Sequence, residues 1–171
     1  VEKIRTAMNI FVATYNAIPG DMNNASSFWP TATDGDNNGY VYLETGVSHL
    51  KYANLLEGDP TVNFIASSYK NGTFGLGGDD DGILYNRKGT FVGFSGPAGG
   101  IMSGIEAYSF DLKFDDGVAD TGKLYGIRPV GGHSETACVD GGWNITTGVD
   151  YYKTSPNWTA ENRCRLSFLT N

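Results

Sequence analysis

The chain has 171 residues, enough for one domain with its own core. Charged residues make up 18% against 40% hydrophobic and 13% aromatic, with 24 glycines; that balance favours an extracellular β-rich domain over a cytosolic helical enzyme. The net charge of −7 repels phosphate backbones, which argues against a nucleic-acid partner, and much of the acid lies in short Asp/Gly runs that suggest cations instead.

In chain order, the first element is an amphipathic helix. Val1, Ile4, Met8, Phe11 and Tyr15 recur at alternating spacings of three and four and form one apolar stripe. No capping residue precedes Val1, so the helix is expected to continue upstream; Pro19-Gly20 ends it. No apolar run of the sequence would span a bilayer, and no signal peptide is visible. Residues 20–46 read as a long polar loop tacked to the core by Phe28 and Trp29. Ser48 is the expected cap of a short helix carrying Leu50, Ala53, Leu55 and Leu56 and stopped by Gly58. Strands are expected at 62–66, 73–76, 83–85 and 90–94, then at 124–127 and 165–169. Residues 105–114 fit either period, as a helix through Phe110 and Phe114 or as a strand through alternate residues from Tyr108. The fold class is α+β: an N-terminal helix (1–18), a loop with a short helix (19–61), then an antiparallel sheet and C-terminal loop (62–171), all in one domain.

Two cysteines, Cys138 and Cys164, lie in a Gly/Asn/Thr-rich region without CxxC or Cys/His metal spacing, which reads as one disulfide closing a C-terminal loop. Three acidic runs are candidate cation sites. Asp34, Asp36 and Asn38, followed by Gly39 and the Tyr40 carbonyl, match the first half of a calcium loop, which aims alternate oxygens at one point. Its twelfth position is Thr45, so Glu44, Glu57 or Asp59 would complete the shell; the alternative is a metal-free loop of Asx turns. Asp115, Asp116 and Asp120 are the second run, with Asp111 nearby; adjacent carboxylates need a cation or donors, and Lys113 is a competing source of positive charge. Asp79-Asp80-Asp81 reads as a soluble hairpin turn or a third cation site.

Enzymatic readings are thin. His49 and His133 are the only histidines, Ser134 beside His133 leaves a triad open on composition alone, and neither a GxSxG elbow nor HExxH is present. Trp143, Tyr151, Tyr152 and Trp158 read either as core filling or as a sugar-binding platform.

The helix running into Tyr15-Asn16-Ala17-Ile18-Pro19-Gly20-Asp21 resembles the start of the soluble domain in bacterial proteins with a prepilin-type N-terminus, that is, type IV pilins and type II secretion pseudopilins. Asn24-Ala25-Ser26-Ser27-Phe28-Trp29, Asp34 to Gly39, His49-Leu50, Leu55 to Gly58, and Asp111 to Gly117 followed by Asp120-Thr121-Gly122 are similar to that group and stand in its order. The resemblance implies a stalk helix whose upstream hydrophobic half anchors in the inner membrane and then packs in a filament core. It also implies a head that forms the surface of a cell-surface or extracellular filament. The expected role is therefore a non-enzymatic filament subunit, calcium-stabilised, whose partners are its own copies and other pilin or secretion-system subunits. The alternative is an extracellular carbohydrate- or surface-binding module.

Overall fold

Apolar residues at steps of three and four wind into helix α1 (Glu2–Tyr15), which buries Ile4, Ala7, Met8 and Phe11. Val1, the first residue of the expected stripe, is instead 38% exposed, and Ala7 takes a buried place that the spacing rule passed over. The helix ends at Asn16, which adopts the left-handed conformation (φ 49°) and returns its amide to the Val12 carbonyl at 2.9 Å. The computed structural model describes residues 1–41, 45–79, 89–96, 100–119, 121–127, 138 and 164–170; the expected strand at 83–85 lies outside them.

The remaining elements are α2 (Ala25–Phe28), α3 (Gly46–Tyr52), β1 (Ile65–Ala66), β2 (Thr73–Asp79), β3 (Gly89–Ser95), α4 (Gly104–Phe114), β4 (Leu124–Ile127) and β5 (Arg165–Leu169). The five strands form one antiparallel sheet in the order β1-β2-β3-β5-β4. The class is α+β, with the N-terminal helix and α3 packed through Ile4, Met8, Phe11, Val47 and Leu50 into a core shared with Leu76 and Val92. A second cluster joins Phe94, Met102, Ala107, Leu124 and Leu166 around Cys138 and Cys164. Side chains two apart point to one face of a strand, so Phe74, Leu76, Val92, Phe94, Leu166 and Phe168 share the helix-bearing face. Phe91 and Tyr125, which meet edge to face at 6.1 Å, are buried on the opposite face.

One open reading is decided and two expectations are corrected. Residues 105–114 are helical: Ser103 accepts from the Glu106 amide, and the Glu106 carboxylate accepts from the Ser103 amide. This reciprocal box settles which of two matching periods is realised. Ser48 is not a cap. The short helix starts earlier, at Gly46 after Thr45, whose side chain makes no cap bond, and ends at Tyr52, before Leu55 and Leu56. Ser48 sits inside it, its hydroxyl donating to the Pro60 carbonyl at 2.6 Å. One turn further on, the Lys51 ammonium donates to the carbonyls of Asp59, Val62 and Phe64 at 3.1, 2.6 and 2.9 Å. These bonds hold 59–64 as irregular backbone, which delays β1 to Ile65. Finally, residues 20–46 contain the turn of helix α2 as well as loop.

Cys138 and Cys164 are joined in a disulfide, and both are fully buried. With 26 residues of separation, closing the loop removes unfolded-chain entropy worth about 3.5 kcal/mol. Replacing both cysteines by alanine is expected to lower the unfolding free energy by about that amount in a denaturant titration, with more lost if the buried site does not collapse.

Candidate functional site

Two places on the fold gather polar side chains that the sequence singled out. The first is the junction between α1 and the rest of the domain. Pro19 and Gly20 turn the chain, and Gly20 has a φ of +92°; a side chain there would meet the backbone of Gly46. The Gly20 amide donates to His49 Nδ1 at 2.9 Å, and the Thr45 hydroxyl donates to the Gly20 carbonyl at 3.0 Å. Because Nδ1 accepts, the ring proton resides on Nε2, which donates to the Thr33 carbonyl at 2.8 Å. His49 is fully buried and stacks on Phe11, with ring centroids 6.2 Å apart. Asp21 completes the junction. Its carboxylate accepts from the amides of Asn38 and Gly39 at 2.8 and 2.9 Å, which ties loop 34–40 to the turn.

That loop is the expected half of a calcium site, and its side chains point in several directions. Both Asp34 oxygens accept from Ser26, one from its amide at 2.7 Å and one from its hydroxyl at 2.9 Å. These bonds hold the Asp34 carboxyl below the usual carboxylate range. Asp36 accepts from the Asn38 side-chain amide, and Asn38 Oδ1 accepts from the Tyr40 amide. Asp34 and Asp36 belong to no described group of three carboxylates within reach of one ion, and Glu44 lies outside the described residues. Also outside them are Asp80, Asp81, Asp120, His133, Ser134 and the aromatic cluster of Trp143, Tyr151, Tyr152 and Trp158.

The second place is the C-terminal end of α4. Asp111 on its last turn, Asp115 at its cap and Asp116 just beyond bring carboxylate oxygens within 4.8 Å of one another. Among the described residues this is the one such group of three. A helix C-terminus carries partial negative charge, so three carboxylates there repel both the helix and each other. The turn answers with neutral donors. Gly117 N donates to Asp111 at 3.0 Å, Val118 N and the Thr121 hydroxyl to Asp116, and Leu124 N to Asp115 at 2.8 Å, with Lys123 N also on Asp115. Gly122, at φ +69°, makes the wrap possible, since a Cβ there would fall on the Asp115 carboxylate. The Lys113 ammonium lies 5.5 Å from the Phe114 ring centre and forms no described ion pair. Its expected role as counter-charge to this cluster is therefore not what the geometry displays.

The remaining expected helix positions, Ile4, Met8 and Phe11, are buried within the domain, and Tyr15 packs on Phe11, Phe28 and Trp29 with centroids 4.6 to 5.6 Å apart. Sequence reasoning missed the His49 staple and the Lys51 cage; neither leaves a local signal, since each partner lies eight or more residues away. No family model, curated protein or solved structure matches this chain.

Burial holds the His49 ring below its ordinary pKa. A histidine depressed in the folded state contributes stability that is complete above the unfolded value of about 6.5 and is lost as pH falls below it. The melting temperature is expected to drop between pH 7 and pH 5, and His49→Gln, which keeps an acceptor and a donor, is expected to flatten that part of the profile at some cost in stability. An unchanged slope in the variant would refute the assignment.

Proposed function

We propose that this chain is the head of a type IV pilin-like subunit: a structural component of a cell-surface or extracellular filament, and not an enzyme. The observation that carries the reading is the union of α1 with its head. The helix lays Ile4, Ala7, Met8 and Phe11 against the core, and its end is fixed by the left-handed Asn16 and the buried His49 staple. A stalk helix must transmit position to the head without bending at the joint, and a turn anchored by a buried ring between two backbone partners does this. The ordered motifs from Tyr15 to Gly122 support the same reading, because Asn16, Gly20, Asp21 and His49 supply the bonds of the joint. No described helix is long and apolar enough to cross a membrane; in this reading the anchor is the hydrophobic half of the stalk that the pilin resemblance implies.

Calcium belongs to this proposal as a stabiliser of the head. Asp111, Asp115 and Asp116 fit it: three hard oxygen donors converge at the negative end of a helix, and the described bonds to them include neutral amides and a hydroxyl. Bound there, the ion would add positive charge to the three carboxylates. Partners are further copies of this chain and other pilin or secretion-system subunits.

The gene's upstream codons test the filament reading. The expected sequence is a prepilin cleavage site, with Glu at mature position five, followed by about 20 apolar residues; a plain secretory signal peptide would overturn it. For calcium, the expected result is a higher melting temperature in calcium than in EGTA. At a concentration 100 times Kd the gain is about 2.7 kcal/mol, and Asp116→Asn should reduce it. Equal melting temperatures in the two buffers would remove calcium from the proposal.

A further inference from the structure

Helix α4 is apolar on more sides than its position explains. Ala107 and Asp111 face inward, while Ile105, Tyr108 and Leu112 form an outward stripe at steps of three and four, 42%, 36% and 57% exposed. Phe114 at its end is 63% exposed. A contiguous exposed apolar patch marks a contact surface. Beside this helix, between it and the first turn of α1, lies a groove of about 1210 Å³ on the helix-bearing face of the sheet. Phe74 and Phe94, stacked 4.3 Å apart, help to line it together with Phe110 and Phe168. Its volume exceeds the range of about 300–1,000 Å³ common for small-molecule sites.

The groove also carries charge of one sign to spare. Lys3, Arg5, Lys113 and Lys123 line it, against Glu2, Glu106 and Asp115. Lys3 pairs with Glu57, Arg5 with Glu2 and Lys70 with Glu106; Asp115 accepts from backbone amides and keeps its charge, and Lys113 and Lys123 form no described ion pair, so the lining has four cations to three carboxylates. The rim is cationic on a chain whose net charge is −7. The complementary surface is at the other end of α1, about 21 Å away at 1.5 Å per residue. There Phe28 is 53% exposed and touches Tyr15, beside exposed Asp34 and Asp36 on the loop that Asp21 holds.

We propose that the cation-rimmed groove between α1 and α4 of one copy receives the Phe28 and Asp34–Asp36 surface of a second copy. The inference rests on the filament reading for its choice of occupant. The two surfaces are different and lie at opposite ends of one helix, so the contact is heterologous, and repetition extends a chain of subunits instead of closing a dimer.

Sedimentation velocity on the purified head, over rising concentration and at two ionic strengths, tests it. Wild-type protein is expected to associate without a fixed endpoint, and more weakly at high salt. A groove variant (Lys113→Glu with Phe114→Ser) and a loop variant (Asp36→Lys with Phe28→Ser) change exposed residues only, and circular dichroism should show both folded. Each alone is expected to associate at least tenfold more weakly. Mixed, they should form a 1:1 complex that grows no further, since one retains the loop and the other the groove. Wild-type protein that stays monomeric at millimolar concentration, or a mixture that stays monomeric while wild type associates, would overturn the proposal. So would saturable binding of a long-chain fatty acid by a monomer with an intact groove, which would reassign the groove to an amphiphile. If filaments assemble in cells from the full-length groove variant, the docking inference falls and the filament reading stands.

Discussion

The position of α1 on the domain depends on one buried imidazole. His49 stands where the turn after α1, the loop beginning at Thr33 and helix α3 meet, and it bonds the first two through opposite ring nitrogens while riding on the third. Its value comes from burial. In water the Gly20 amide would find a solvent partner at little cost; in the interior it would be left unsatisfied without the ring. Asp21 extends the same constraint to loop 34–40. The hydrophobic stripe of α1 supplies the attraction between helix and sheet, but attraction alone leaves a helix free to slide. The directional bonds at its end fix its register.

The acidic end of α4 is solved differently. Three carboxylates at the negative pole of a helix need donors, and the turn that follows supplies backbone amides through glycines at 117 and 122, both at positive φ. That turn and the junction at the end of α1 stand on separate parts of the helix-bearing side, with an apolar groove open at the start of α1. The fold thus separates what holds the subunit together from what it offers outward, and the groove brings Lys113 and Lys123 to the same surface as Asp115.

The periodic elements were legible because their signals are local. Steps of three and four gave α1, although its end falls at Tyr15, three residues before the expected 18, and runs of β-branched and aromatic residues between glycines located β2, β3, β4 and β5. The disulfide was legible because two cysteines admit one intramolecular pairing. Even α4 carried a local sign, Ser103 three residues before Glu106, which decides between periods that hydrophobicity alone leaves equal. The short helix was misread at its start because a serine can serve as a cap or, as Ser48 does, satisfy a distant carbonyl from inside a helix.

Chemistry was less legible than fold. The sequence by itself determined which residues are acidic, which are apolar and at what period they recur, and so it located α1, β2 to β5 and the candidate clusters. Only the tertiary structure decided that Asp34 spends its oxygens on Ser26, while Asp111, Asp115 and Asp116 converge. It also decided that His49 and Lys51 are buried anchors and that Lys113 and Lys123 rim an open groove. The reason is physical. Periodicity is a property of neighbours along the chain, whereas the direction of a side chain and the partners within 3 Å of it are set by residues that sequence distance does not reveal.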